Sequence, residues 1–283
     1  MKTVEVQDVL IRLNETVQEL PELAEVIDLQ RELLETNRQV RLPVLKPSMS
    51  KEQVHDCLLA GTPLLRRQPP ELDGYDLSGQ YLQVCQVASR HRPEFSFQFE
   101  RLASFVEDDP VRVRELSGLY LKGSKISPAL RTDDEPEIPP KLEELAKFVL
   151  LHSLRPYLQA CAVSLAPLID ERIWQRQVCP VCGGEPDLAY LDARGHTRHL
   201  VCPRCDFTWL FPRIKCPFCL TSQSSDLAYF PSEDEKYRLY VCYNCKRYLK
   251  AVDLSKTGSH TLLPVERVVT LPMDFAAREY GYS

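Results

Sequence analysis

The chain has 283 residues, of which 44% are apolar and 27% charged, and a formal net charge of -5. This composition excludes wholesale disorder, and the length exceeds one ordinary domain. The mildly acidic balance excludes the global positive field on which nonspecific nucleic-acid binding draws. Met1 to Val26 carries Asp and Glu early and interrupts Val9-Leu10-Ile11 with Arg12, so no secretory signal is visible. The apolar run Phe148 to Leu151 is far shorter than the roughly 20 residues of a membrane span. The expectation is a cytoplasmic protein without membrane attachment. Thiols stay reduced there, and an odd total of eleven cysteines points to metal ligands before disulfides.

Residues 1–170 read as a helical domain. Leu23, Val26, Ile27, Leu33 and Leu34 recur at three- and four-residue steps, the signature of one helix face. Similar stretches run over Val54 to Leu59, Leu77 to Val87, Phe97 to Val106 and Leu142 to Leu165. Asp108-Asp109-Pro110 reads as a helix start, and Glu135 to Pro140 as a proline-rich loop. Cys57, Cys85 and Cys161 stand alone in apolar stretches and read as small buried hydrophobes. Near residue 171 the texture changes to short β-branched or aromatic runs separated by Gly, Pro, Ser and Asp, which marks a boundary.

From residue 179 the chain repeats itself. Cys-x-x-Cys, then Asp-Leu-Ala-Tyr (Asp187 to Tyr190, and again Asp226 to Tyr229), then a polar turn, then Cys-x-x-Cys occurs twice. In the first copy Leu188 to Leu191 and His199 to Val201 flank the turn Asp192-Ala193-Arg194-Gly195. In the second, Leu227 to Phe230 and Tyr237 to Val241 flank Pro231 to Glu235. Each copy is a predicted β-hairpin module. Trp209 and Phe211, between the copies, read as packing that fixes one module against the other.

The metal-ligand candidates are Cys179, Cys182, Cys202 and Cys205 in the first copy and Cys216, Cys219, Cys242 and Cys245 in the second. Two intervening residues let a knuckle present both sulfurs to one ion, and a second knuckle across the hairpin completes a tetrahedron. Sequential pairing within each copy is expected, because each hairpin brings its own knuckles together. A cross-braced arrangement would pair first with third and second with fourth. Few large apolar residues lie between the knuckles, whereas a four-thiolate site contributes on the order of 10 to 16 kcal/mol of apparent binding energy, so metal is expected to fold this region. Two ions, iron or zinc, are implied, since sulfur tetrahedra suit both. Glycine follows the second cysteine only at Gly183; Asp206, Leu220 and Lys246 stand at the other three knuckles, a departure that weakens an inference to iron.

A closed thiolate tetrahedron leaves no open position for water, so Lewis-acid hydrolysis is not expected. The chain has no Gly-rich phosphate loop and no nucleophile elbow, His55, His91, His152 and His260 are scattered, and His196 and His199 read as exposed or as neighbours of a ligand. No enzyme is read here. From Glu171 to Lys256, 13 Lys and Arg stand against 10 Asp and Glu, and two divalent ions with eight thiolates add about -4. That balance argues against a nucleic-acid-binding zinc ribbon. That class and a rubredoxin-like redox carrier are the alternatives.

The helical first half, Cys179-Pro-Val-Cys-Gly-Gly, the linker Trp209-Leu-Phe-Pro-Arg213-Ile-Lys215-Cys216-Pro-Phe-Cys219 and Cys242-x-x-Cys245-x-x-Tyr248-Leu-Lys250 together resemble the formate dehydrogenase accessory protein FdhE family. The closing stretch Leu271-Pro-Met-Asp274-Phe-Ala-Ala-Arg-Glu279-Tyr-Gly281-Tyr282 is similar to that family's closing segment. The resemblance implies a cytoplasmic assembly factor that binds the catalytic subunit of a molybdenum- or tungsten-containing formate dehydrogenase, with the four knuckles as rubredoxin-like metal-binding elements and iron somewhat favoured. The expected architecture is α plus small β: a helical domain over 1–170, a tandem four-cysteine domain over 171–256, and a segment over 257–283 packing back on the body. A homo-oligomer is compatible with it.

Overall fold

The computed structural model describes residues 5–43, 45, 49–131, 137–194, 197–258 and 260–283. Eight α-helices come first: α1 (Val6–Glu19), α2 (Ala24–Arg38), α3 (Lys51–Ala60), α4 (Leu64–Arg67), α5 (Leu77–His91), α6 (Ser96–Glu107), α7 (Val111–Lys122) and α8 (Pro140–Leu165). Local chemistry sets several of their ends. Ser50 and Gln53 form a reciprocal capping box on α3, Asp76 caps α5 through the Gly79 amide, and Asp109 accepts from the Val111 amide where α7 begins. Glu135 and Pro136 of the proline-rich loop lie outside the described residues.

Helix α8 is the axis of this half. From Val149 to Tyr157 almost every side chain is buried, the polar His152, Ser153 and Arg155 included, so the helix is enclosed all round where a surface helix would bury one stripe. It packs against α2, α5, α6 and α7. Tyr75 and Tyr157 donate their hydroxyls to the backbone carbonyls of Ser153 and Glu71, tying the loop between α4 and α5 to this axis. Cys57, Cys85 and Cys161 are buried in the same core, where burial pushes the Cys85 and Cys161 thiols up to about 12 and leaves them inert as nucleophiles.

The six strands β1 (Leu188–Leu191), β2 (Arg198–Val201), β3 (Thr208–Leu210), β4 (Leu227–Pro231), β5 (Tyr237–Cys242) and β6 (Tyr248–Asp253) form one sheet in the order β3-β2-β1-β6-β5-β4. Each repeat is a three-stranded antiparallel meander. The two join by a parallel pairing of β1 with β6, Ala189 opposite Ala251, so the hairpins are halves of a continuous sheet. Gly195 and His196, in the first hairpin's turn, lie outside the described residues.

Three short helices follow: α9 (Leu254–Thr257), α10 (Leu263–Val269) and α11 (Leu271–Glu279). Val265 and Val268 of α10 close a small core with Val9, Leu13, Leu23 and Ile27, so the C-terminal segment covers the N-terminal hairpin of helices. The main core is continuous from α2 through α8 into the first repeat, and includes Cys179, Cys182, Cys202, Cys205 and Trp209. No described helix is long and apolar enough to cross a membrane.

Candidate metal centres

All four knuckles fold by the same local rule. The residue after the second cysteine returns its amide to the carbonyl of the first: Gly183 to Cys179, Asp206 to Cys202, Leu220 to Cys216 and Lys246 to Cys242, at 2.9 to 3.1 Å. The first cysteine's amide then donates to the residue after that, Gly184, Phe207, Thr221 and Arg247 respectively. This double closure requires a left-handed backbone, and φ is +74° at Gly183, +54° at Asp206, +65° at Leu220 and +57° at Lys246. A non-glycine residue there costs roughly 1–2 kcal/mol. An ion bound by the knuckles would contribute several times that, enough to hold the turn without glycine. The departure from glycine therefore carries no information against iron.

Gly183 serves a different need. A Cβ there would stand 2.7 Å from Nε of Arg66, whose guanidinium donates to the Gly183 carbonyl (3.2 Å). The first knuckle is in fact seated on the start of α4: the amides of Leu64 and Leu65 donate to the carbonyls of Pro180 and Val181 at 2.8 and 2.9 Å.

Pairing is sequential. The sulfurs of Cys179, Cys182, Cys202 and Cys205 lie within 4.8 Å of one another, as do those of Cys216, Cys219, Cys242 and Cys245. Contacts across the knuckles are 3.6 Å (Cys179 to Cys205), 3.4 Å (Cys182 to Cys202), 3.7 Å (Cys216 to Cys245) and 3.6 Å (Cys219 to Cys242). A tetrahedron with metal–sulfur bonds of 2.3 Å has edges of about 3.8 Å, so each group is positioned to hold one ion. Acid–base chemistry agrees. Burial pushes the Cys179 and Cys205 thiols up, while hydrogen bonds from neighbouring sulfurs hold Cys182 well down. Were all four sulfurs ionised, thiolates this close would need a cation between them.

The two centres differ in surroundings. The first is wholly buried. Asp206, in the left-handed position that Asp tolerates better than most residues, accepts both Arg155 Nη2 contacts at 2.8 Å, Gln159 Nε2 at 2.6 Å and Arg267 Nη1 at 2.7 Å. Burial would raise the Asp206 carboxyl, but the Arg155 and Arg267 guanidiniums overcome it and hold it below the ordinary range. Arg267, from α10, also donates to Asp187 (2.7 Å) and to the Cys202 carbonyl (3.0 Å). Arg204 lies over the Tyr120 ring at 4.1 Å. Three guanidiniums against the carboxylates of Asp187 and Asp206 leave a net charge of about +1 beside the charge of about -2 that a divalent ion and four thiolates would carry.

In the second centre Cys216 and Cys242 are buried, while Cys219 and Cys245 are partly open to solvent. The Phe218 amide donates to Cys216 Sγ and the Asn244 amide to Cys219 Sγ, both at 3.4 Å. Burial raises the Cys219 thiol, but bonds from the Thr221 backbone and Asn244 bring it down to about 7. Between the modules, Arg198 is buried, holds the carbonyls of Pro212 and Lys215 at 2.5 and 2.6 Å, and lies over the rings of Phe211 and Tyr240.

Several expectations change here. Trp209 does not fasten module to module: it is fully buried in the main core and donates to the Arg176 carbonyl at 2.9 Å. With Trp174, whose indole donates to Val178 at 2.8 Å, it fixes the segment entering the first knuckle. The inter-module role falls to Phe211 together with Arg198. His199 is half-buried and stacks on Tyr190 at 4.8 Å, on the sheet and away from either sulfur group. The first module draws apolar support from the helices, so its packing does not rest on an ion alone. Arg66, Arg155 and Arg267 are absent from the expectations above, because they reach the knuckles only through tertiary contacts. The signal available in the sequence was the charged Asp206 at a position favouring glycine.

No family model matches the chain. Among curated relatives, an FdhE homologue of Aquifex aeolicus is 30% identical over 145 residues, half of this chain and half of its own length. An FdhE homologue of Stutzerimonas stutzeri is 28% identical over 109 residues, 38% of this chain and 35% of its own. The FdhE protein of Escherichia coli K12 is 30% identical over 113 residues, 38% of this chain and 36% of its own. The chain thus spans at most about half the length of these relatives. The crystal structure of the FdhE protein from Pseudomonas aeruginosa superposes with a TM-score of 0.58 at 23% identity, covering 98% of this chain and 91% of that one. The chain is thus similar in sequence to FdhE proteins over up to about half of its length, and nearly all of it shares the fold of the Pseudomonas aeruginosa protein.

Proposed function

We propose that Cys179, Cys182, Cys202 and Cys205 bind one metal ion and Cys216, Cys219, Cys242 and Cys245 a second, iron or zinc, and that the chain is a cytoplasmic accessory protein for formate dehydrogenase. In this reading it associates with the catalytic subunit of a molybdenum- or tungsten-containing enzyme before that enzyme is complete, and does not itself oxidise formate. The observation that carries the proposal is the pair of closed sulfur tetrahedra on a fold shared with FdhE. Four protein ligands leave no coordination position for substrate, so what each ion supplies is rigidity and, if it is iron, an electron-accepting centre.

The chain's own residues do the rest. Arg155, Gln159, Arg204 and Arg267 balance and orient the first centre, and Arg198 and Phe211 fix the linker into the second. A helical domain over 1–170 and the segment 257–283 extend the surface available to a client, whose stable recognition needs on the order of 1,200 to 2,000 Å².

The test is elemental analysis of natively expressed protein, expected to give two ions per chain, joined to formate dehydrogenase activity in a strain whose own copy is replaced by the Cys216→Ser/Cys219→Ser variant. Normal enzyme activity in that strain overturns the accessory role. A metal ratio near zero overturns the ligand assignment.

A further inference from the structure

The internal repeat places one knuckle pair against protein and leaves the equivalent pair open. In the first repeat the knuckle carbonyls of Pro180 and Val181 receive the Leu64 and Leu65 amides of a helical turn, Arg66 lies against Gly183, and Asp206 is clamped by Arg155 and Arg267. Among the described residues no helix amide reaches the corresponding knuckle carbonyls of the second repeat, where Arg247 lies over the Phe218 ring at 3.8 Å. The Phe218 carbonyl, matching Val181, accepts no hydrogen bond among the described residues. Leu220, matching Gly183, is 38% exposed and Tyr243 42%. Lys246, matching Asp206, is exposed and has no carboxylate partner among the described residues. Ser283 borders this face, its amide donating to the Lys246 carbonyl at 2.9 Å.

We infer that this open face, Leu220, Tyr243, Asn244 and Lys246 around the half-exposed Cys219 and Cys245, docks the N-terminal turn of an acidic helix on a partner protein. The inference rests on the reading above that the partner is the formate dehydrogenase catalytic subunit.

Charge decides the occupant. A loaded four-thiolate site is about -2, and the first turn of a helix carries roughly +0.5 of an elementary charge on its free amides, so knuckle carbonyls and helix amides attract. At the first centre the flanking residue is Asp206 and its helical partners are arginines. At the second, the exposed Lys246 stands at the rim in place of that carboxylate, so complementarity calls for Asp or Glu. Those residues are favoured in a first helical turn for the same dipole reason. Leu220 and Tyr243 add exposed apolar surface for the docked turn.

The test uses the full-length metal-loaded chain and the purified catalytic subunit of formate dehydrogenase, with hydrogen exchange on both proteins and titration of wild type against Tyr243→Ser and Lys246→Glu. Each variant is compared at the wild-type metal content. The expected result is protection of residues 216–220 and 242–247, protection of an acidic first helical turn in the subunit, and affinity reduced about tenfold or more in Lys246→Glu but retained in Lys246→Arg. Binding by wild type with both variants within twofold, or protection of a strand or loop in the subunit, overturns this surface and leaves the accessory role standing. Failure of wild type to bind the subunit overturns that role and this occupant with it.

Discussion

Replacing Asp206 by Asn removes a charge while keeping a residue that accepts the left-handed backbone, and so isolates the electrostatic part of the first centre. The Asp206 side chain is 22% exposed, Arg155 6% and Arg267 13%, so solvent screens the network weakly. Charge-assisted hydrogen bonds contribute about 1.5–3 kcal/mol each and do not add, and loss of one partner from a buried pair costs about 3–5 kcal/mol. Arg267 keeps Asp187 and the Cys202 carbonyl, and Arg155 keeps Pro203, which lowers the expected loss to about 3 kcal/mol. At about 2–4 °C per kcal/mol, the melting temperature of the metal-loaded variant should fall by about 6–12 °C. A double-mutant cycle with Arg267→Met should return a coupling of at least about 1 kcal/mol. The sign with pH follows from the carboxyl being held below its ordinary value in the folded state. Its contribution is complete above the unfolded value near 4 and disappears as pH falls through the folded one, so the gap between wild type and variant should close in acid. A melting temperature unchanged to within about 1 °C at neutral pH, on fully loaded protein, would refute the reasoning.

Chelator should strip the two centres at different rates, because Cys219 and Cys245 are partly exposed whereas all four ligands of the first centre are buried. Stopped-flow release should be biphasic, and Cys216→Ser/Cys219→Ser should abolish the fast phase; a single phase sinks the distinction. Gly183→Ala should destabilise by about 2 kcal/mol or more through its positive φ and the collision with Arg66, while Leu220→Gly, at an equally left-handed position, should stabilise by up to about 1 kcal/mol in denaturant titrations. Equal effects of the two would contradict the separate role of Gly183. His152, buried beside Arg155 and Arg267, has its folded pKa pushed down to about 3 by burial first and by those cations second. The unfolded chain binds its proton near 6.5, so this residue removes about 1.4 kcal/mol of stability per pH unit below that value, about 2 kcal/mol between pH 7 and pH 5. His152→Gln should flatten the pH dependence of unfolding over that interval by the same amount; an unaltered slope counts against the assignment.

The knuckles, their pairing and the helices were legible because each depends on neighbours in the chain. A Cys-x-x-Cys turn closes within six residues, a hairpin brings its own two knuckles together, and periodic leucines report a helix face without knowledge of what covers it. The sequence by itself therefore determined eight sulfurs in two sequential tetrahedra behind a helical half. Tertiary structure alone decided what distinguishes the two copies. The parallel β1–β6 pairing, the seating of Pro180 and Val181 on α4, and the Asp206 cluster join residues far apart in the chain. The identical Asp-Leu-Ala-Tyr segments show why repetition could not reveal them: Asp187 binds Arg267 of α10, whereas Asp226 accepts a hydrogen bond from nearby Thr221. Local pattern fixes the shape of a knuckle, but burial, charge balance and the use of Gly183 belong to whichever distant surface the folded chain brings against it.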